Sequence, residues 1–503
     1  MSVSTVSGQS ALAIQQLVAM RAQFDDLQRQ LSTGQKSSTY AGLGLNRGVT
    51  VSLNAQLAAI SGYDSTIGNV GTRISLMNTA LGQMTSITSN VKAAMVQANT
   101  TGAGNGNGPS VAQQTAQSSL DQLLGLLNTQ AAGRYLFSGR ATDQPAVETT
   151  DHILNGNGSQ AGLKQLISER TQADLGASGL GRLVISQPSS TDVSVAEDST
   201  SPFGLKLASV TSNLTNATVS SPTGAPASLD IDLSGGNPNA GETVSLRFNL
   251  PDGTSQNLTL TATNSATPSA GQFTIGATSA DTALNLQNAV TAGITTLGAT
   301  SLTAASAVAA SNDFFDADLN NPPQRVNGPP FDTATGMTAG TAANSVVWYT
   351  GEPGTGPARA TATARIDTSL SVSYGARANE QGFRDIVQNI ATLAAVPISA
   401  SDPNAAQLSS ALNQRLNVNL SGVPGAQTIT NIATDLASAQ TAMKAASDRH
   451  SQTSATLGDF LQSIEGVSSE QVGTELLALQ TRMQAAMQTT AMLFQTSLVN
   501  YLK

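Results

Sequence analysis

Residues 60–84 read ISGYDSTIGNVGTRISLMNTALGQM. Large side chains recur there at alternating steps of three and four residues, which is the heptad pattern of a helix that buries one stripe. The stripe consists of Ile60, Tyr63, Ile67, Val70, Ile74, Met77, Leu81 and Met84. The same spacing extends from Val49 to Met95, so we expect a helix roughly 70 Å long. Such a length is typical of a coiled coil.

Both ends of the chain carry the same spacing. An N-terminal stripe runs from Ala13 through Leu31, and Gly34 ends that predicted helix before a glycine-rich hinge at 39–48. Two C-terminal stripes occupy 429–464 and 472–493. The last helix has a second apolar stripe, so its face is wider than one partner helix needs. We therefore expect the N- and C-terminal helices to pair antiparallel.

The middle of the chain has a different pattern, with short alternating strands and turns over about 140–375. PDGT (251–254) is a predicted hairpin turn, and 279–297 is a predicted helix. The fold class is predicted as α+β, with long coiled-coil-like helices from both termini and β-rich domains between them. The predicted domains are an N-terminal helical assembly domain (1–140), a β-rich domain in two parts (141–225 and 313–375, the second with a linker), a small α+β insert (226–312) and a C-terminal helical assembly domain (376–503).

Composition excludes several classes of protein. The net charge of −9 gives no basic footprint for nucleic acid. The chain has no cysteine, which excludes disulfides and thiolate sites. No run of about 18 apolar residues predicts a membrane span. The N-terminus lacks the features of a Sec signal peptide, so if the protein leaves the cell we expect another export route.

Catalytic, cofactor-binding and metal-binding residues are not predicted. His152 and His450 are the two histidines, and neither has a metal-ligand motif around it. His450 falls on the C-terminal heptad stripe, which favours a packing role. GAGNGNG (102–108) lacks the GK[ST] of a phosphate-binding loop and follows a helix, so we interpret it as a flexible turn.

The combination of several stretches resembles the bacterial flagellin superfamily, which includes filament flagellin and the hook–filament junction protein. These stretches are RQLSTGQKSSTYAGLGLNRGVTV (29–51), the helix at 60–84, AAGRYLFSGRATDQPAV (131–147), VVWYTGEP (346–353), SVSYGARANEQGF (371–383) and LLALQTRMQAAMQTTAMLFQTSLVNYL (476–502). The insert at 226–312 lies outside the resemblance. TYAGLGLNRG replaces the acidic stretch usual in filament flagellins, and SLVNYLK is more similar to the junction protein.

The resemblance implies an axial structural subunit, not an enzyme, in an extracellular flagellum. It would polymerise with copies of itself to form the motility filament, and its partners would be the hook-associated and cap proteins, the export chaperone and the export apparatus. The alternative is the hook–filament junction protein; a more distant one is a secreted adhesin with a helical stalk. The expected assembly interface consists of Leu17, Met20, Phe24, Leu27, Leu31, Ile60, Ile67, Ile74, Leu81, Leu476, Leu479, Met483, Leu493, Phe494, Leu498 and Tyr501.

Overall fold

The computed structural model describes residues 3–101, 110–399 and 401–501. The chain divides into two compact units. The terminal unit comprises Met1–Gly71, Arg365–Val372 and Thr441–Lys503, and the central unit comprises Thr72–Ala364 and Ser373–Gln440. Both units are built from segments that are far apart in sequence, so each depends on long-range pairing.

Helices dominate the two ends of the sequence, as the heptad spacing predicts. Their bounds are α1 Val3–Thr33, α2 Arg47–Thr101, α3 Val111–Leu127, α4 Thr150–Asn155, α5 Leu163–Leu175, α6 Ser279–Leu297, α7 Thr303–Phe315, α8 Gln381–Ala395, α9 Ala405–Asn419, α10 Ile429–Glu465 and α11 Ser469–Tyr501. A 3₁₀ segment, Tyr40–Asn46, occupies the glycine-rich hinge. Gly34 follows α1 with φ of +70°, a conformation that glycine adopts without steric cost.

The terminal unit is formed mainly by helices. In it α1 packs against α11, and the end of α1 lies beside the start of α11, so the two run antiparallel. The parts of α2 and α10 that belong to this unit are linked by a hydrogen bond between Asp64 and His450. The turn between two short strands, β14 (Thr363–Arg365) and β15 (Ser371–Ser373), supplies the third segment of the unit.

The central unit contains two larger sheets. The strands of the chain up to β13 are β1 Gln130–Ala131, β2 Arg134–Tyr135, β3 Leu183–Ser186, β4 Asp192–Glu197, β5 Lys206–Ser212, β6 Thr218–Val219, β7 Thr223–Gly224, β8 Ala227–Asp232, β9 Thr243–Asn249, β10 Ser255–Thr263, β11 Gln272–Thr274, β12 Arg325–Val326 and β13 Met337–Thr338. One sheet has the order β11-β10-β9-β5, and the other β3-β4-β8-β6 with β7 also paired to β8. All these pairs are antiparallel except β10 with β11.

Alternation along these strands builds one apolar core with α6. On β9, Val244, Leu246 and Phe248 are fully buried, and the residues between them are partly or fully exposed. The inward residues of β4 and β8, together with Leu286 and Val290 of α6, join the same cluster. Fully burying one such side chain contributes about 1.5–3 kcal/mol, so this cluster is the main source of stability for the strands.

A helical layer of the central unit joins α3, α5, α7, α8 and α9. Trp348 is fully buried there and donates from Nε1 to the carbonyl oxygen of Phe315, 2.9 Å away. The rings of Phe137 and Phe383 meet edge to face at 5.5 Å between centroids. The single tryptophan therefore reports on the folding of this unit.

One helical run, Ser279–Phe315, is long and apolar enough to cross a membrane by length and composition alone, among the residues that the structure describes. Most of its tested window, 61%, is buried inside the protein. A core helix of a soluble protein passes the same test, and burial accounts for the apolar composition of this run.

The α+β class and the long helices are confirmed. Short strands are present within the predicted span 140–375, and PDGT connects β9 to β10. The structure also contains α5 and α7, where we predicted only strands and turns. The stretch 345–353, within the span predicted as short strands and turns, makes only isolated bridges at Ser345 and Tyr349. Pairing of β5 with β9, and of β4 with β8, joins 141–225 to 226–312 in shared sheets, so the insert shares its core with the preceding strands.

Candidate assembly surface

The paired helices α1 and α11 carry most of the residues expected at the interface. On α1, Leu17, Met20, Phe24 and Leu27 are partly buried, as heptad positions are when one side of a helix is covered. On α11, Leu479 is buried and Leu476 and Met483 are partly buried. One stripe of each helix is therefore already covered within a single copy.

A backbone clasp fixes how the two ends meet. Gln35 and Gly466 form an antiparallel bridge, in which the Lys36 N–H donates to the Glu465 carbonyl at 2.7 Å and the Val467 N–H donates to the Gly34 carbonyl at 3.0 Å.

The Lys36 side chain reinforces this clasp. Its Nζ donates to the carbonyl oxygens of Ile464 at 2.8 Å and Ser463 at 3.3 Å, both in the last turn of α10. A cation at a helix C-terminus is stabilising because it satisfies carbonyls that have no intrahelical partner and complements the helix dipole. The clasp thus places the end of α1 at the start of α11.

Most of the exposed large apolar side chains belong to the terminal unit. Of the 21 large apolar side chains that are exposed in the described part of the chain, 13 belong to this smaller unit. They are Leu12, Ile14, Val18, Leu31, Tyr40, Leu45, Val49, Val51, Phe460, Leu477, Met487, Met492 and Phe494. Single exposed apolar residues are normal on a protein surface, so the feature that sets this unit apart is its share of them.

Several of these residues lie off the heptad stripe. Val18 of α1 and Leu477 of α11 are 65% and 64% exposed, and the heptad spacing does not select either one. The signal that could have found them is the presence of large apolar residues beside the stripe, which we used for the last helix but not for the first. The candidate assembly surface is defined here as the exposed apolar residues of α1 and α11.

The remaining expected interface residues fall into four groups. Leu31 and Phe494 are exposed, and Ile60 and Ile67 of the terminal unit are partly buried. By contrast, Ile74 and Leu81 are 0% and 2% exposed inside the central unit, so their surface is used within one copy and we leave them out of the surface. The side chains of Leu493, Leu498 and Tyr501 lie outside the described part of the structure.

The charged groups of the terminal helices are surface groups. Asp26 of α1 accepts hydrogen bonds from Arg29 at 2.7 Å and from Gln30 at 2.8 Å. The hydrogen bond from Arg29 lowers the pKa of the Asp26 carboxyl. Exposed pairs of this kind contribute little to stability. Apolar contacts are therefore the main source of binding free energy that this surface offers.

The histidines lie in different units. In the central unit, His152 Nδ1 lies 2.9 Å from Glu148 Oε2 on a partly exposed helix end. In the terminal unit, His450 is buried beside Asp64. Within the described residues, no three His, Asp or Glu side chains are grouped as a metal site would require.

Comparison with known families identifies the N-terminal part of the chain. Residues 4–142 match the model of the bacterial flagellin N-terminal helical region. This match supports membership of the bacterial flagellin family for the N-terminal part of the chain. The matched residues span α1 to α3 and the first two strands, so they include the α1 half of the candidate assembly surface. No curated protein matches the chain. The family is structural and forms part of the extracellular flagellar filament.

Proposed function

We propose that this chain is an axial subunit of the bacterial flagellum that polymerises through its terminal helices into the motility filament. The observation that carries the proposal is the set of exposed large apolar residues on the paired helices α1 and α11. A single copy covers one stripe of each helix and leaves the other sides open, so a second copy is the simplest way to cover them.

The geometry of the surface favours an open polymer. Exposed apolar residues lie on two different helices, for example Ile14 on α1 and Met487 on α11. When one copy presents one patch and its neighbour presents another, the contact is heterologous, and it builds an open helical filament when the repeated rotation does not close into a ring. A filament of many weak contacts assembles cooperatively.

Placement in the flagellum implies further partners. We propose that the subunit leaves the cell through the flagellar export apparatus with its chaperone, and that it meets hook-associated and cap proteins outside the cell. The hook–filament junction role remains the second candidate, since SLVNYLK resembles that protein at the C-terminus.

Truncation tests the proposal directly. Deleting residues 490–503 removes the last part of α11, including Phe494 and Met492, which are 50% and 64% exposed. We expect the truncated chain to stay folded by circular dichroism and tryptophan fluorescence but to form no filaments in electron micrographs, and cells that carry it to lose motility.

The control is Val184→Gln, which changes an apolar residue of β3 that is 50% exposed but lies in the central unit. This variant should assemble like the intact chain. Long filaments of the intact protein favour the filament subunit, and short or capped oligomers favour the junction protein. Full assembly and motility of the truncated chain would refute assembly through α11.

A further inference from the structure

His450 lies at a meeting point of three segments of the terminal unit. It is 4% exposed on α10, and its Nδ1 lies 2.7 Å from Oδ1 of Asp64 on α2. Its ring stacks on Tyr63, also on α2, with 5.9 Å between centroids. On the other side, Nε2 lies 3.8 Å from Oδ2 of Asp367, in the turn between β14 and β15. A single imidazole therefore lies between two carboxylates from different segments.

The contact with Asp64 fixes which nitrogen carries the proton. An ionised carboxylate only accepts hydrogen bonds, so a nitrogen 2.7 Å away must be the donor, and the neutral ring is protonated at Nδ1. Its Nε2 then presents a lone pair. That atom is buried and has no hydrogen-bond partner among the described residues. In the neutral ring, an acceptor therefore faces the Asp367 carboxylate, whereas in the charged ring an N–H faces it.

Asp367 is held as a carboxylate by other groups. The backbone N–H of Thr368 donates to it at 2.6 Å and Arg449 donates to it at 3.1 Å. These bonds, the first being the larger effect, lower the pKa of Asp367, and the positive charge of His450 acts in the same direction. The guanidinium of Arg365 bonds carbonyl oxygens of the same turn.

The charges around the ring are therefore mixed. Asp64 faces it from α2 and Asp367 from the turn, while Arg449 is the neighbouring cation on α10 itself. Both carboxylates lie close enough to interact with the imidazole, and Arg449 is a second cation that contacts Asp367. Because both signs of charge act on one ring, removing one of them has a defined effect on its titration.

We propose that His450 is a proton-operated latch that holds the turn 366–370 against the α2–α10 pair. The charged ring bonds Asp64 through Nδ1 and attracts Asp367 through Nε2, so the latch is engaged. Loss of one proton leaves the bond to Asp64 but turns the attraction to Asp367 into a contact between acceptors. Histidine is the residue type that changes its charge near neutral pH, so the latch is engaged with the charged ring and released with the neutral ring. The device operates in a single copy, whatever the chain assembles into.

Selective labelling of histidine makes the test direct, since the chain has only two. The imidazole carbon signals of the full-length monomer are followed by NMR from pH 5 to 9, and His152→Gln assigns them. We expect Asp367→Asn to lower the titration midpoint of His450 by at least about half a pH unit, because one carboxylate is lost. We expect Arg449→Gln to raise it, because a competing cation is lost.

His152 is the internal control and should titrate identically in both variants, since its partner Glu148 is unchanged. The two variants should shift the His450 midpoint in opposite directions. General loosening of the fold would instead shift the His450 midpoint in the same direction in both variants. A second readout is hydrogen exchange of the backbone over 365–372, corrected for intrinsic rates. It should be at least about threefold slower at pH 6 than at pH 8, and Asp367→Asn should remove the difference. An unchanged midpoint in Asp367→Asn, or exchange that does not depend on pH, would overturn the proposal.

Discussion

Leu477→Gln tests whether the open sides of the terminal helices drive assembly. Leu477 lies on α11 and is 64% exposed, so a neighbouring copy has about two-thirds of the side chain left to cover. Full burial of a leucine contributes about 2 kcal/mol, and the remaining share is worth about 1.3 kcal/mol. Glutamine has nearly the same helix propensity as leucine, so the helix itself should be unaffected. Since 1.4 kcal/mol is a factor of ten in an equilibrium constant, the critical concentration for polymerisation should rise about tenfold.

The assay is sedimentation of the polymer over a series of total concentrations, which gives the monomer concentration that remains in the supernatant. Circular dichroism of the monomer should be the same in the variant and the intact chain. Leu284→Gln is the matched control, because Leu284 is 49% exposed on α6 of the central unit. We expect that control to change the critical concentration by less than about twofold. Equal critical concentrations for the Leu477 variant and the intact chain would refute the reasoning.

Three further predictions concern the central unit. Phe248→Ala empties a fully buried position between the sheets and α6 and should cost about 3–5 kcal/mol in urea unfolding, followed by tryptophan fluorescence. The backbone N–H of Thr215 is the main cause that lowers the pKa of Glu242 to about 2. The ionised Glu242 carboxylate therefore stabilises the folded state above its ordinary pKa of 4.5, and this stabilisation is lost as the pH falls towards 2. Glu242→Gln should weaken the pH dependence of the free energy of unfolding within that window. Gly375→Ala would place a Cβ 2.1 Å from a threonine oxygen and should cost about 1–3 kcal/mol, whereas Gly356→Ala meets nothing within 4 Å and should be neutral.

Helices with a long repeat were the most predictable part of the fold. Steps of three and four residues over 49–95 predicted α2, which extends from Arg47 to Thr101. The glycine at 34 predicted the end of α1 within one residue, because a positive φ is cheap only for glycine. Many repeats of one signal compensate for the weakness of each, and that explains the success.

The helix α7 was missed for a physical reason. Its sequence, TAASAVAASNDFF, is buried on nearly every side, from Ala304 to Ser311 without a break. A helix that is buried all round shows no alternation of apolar and polar residues, so its period cannot be read from the sequence. The long helices at the chain ends have one solvent-exposed face, so the helical period of their apolar residues can be recognised in the sequence.

Long-range pairs were equally inaccessible to sequence reasoning. The spacing placed His450 on a helix stripe and predicted a packing role, but its partner Asp64 is 386 residues away. Likewise β5 pairs with β9 across the boundary at 225/226, which was drawn from a local run of predicted strands followed by a helix. Local sequence patterns predict helices and strands. Which distant helices and strands pair depends on how well their apolar surfaces pack together in the folded chain.

A heptad stripe shows that a helix face is covered, but not by which copy of the chain. Ile74 and Leu477 illustrate the difference, since the first belongs to the stripe and is fully buried inside one copy, while the second lies off the stripe and is open to water. Residues covered within one copy stabilise the monomer and leave no surface for a neighbour. Residues that the stripe does not explain are the ones with free energy still to gain from a second copy. The polymer proposal therefore depends less on the repeat that first suggested it than on the apolar residues beside that repeat.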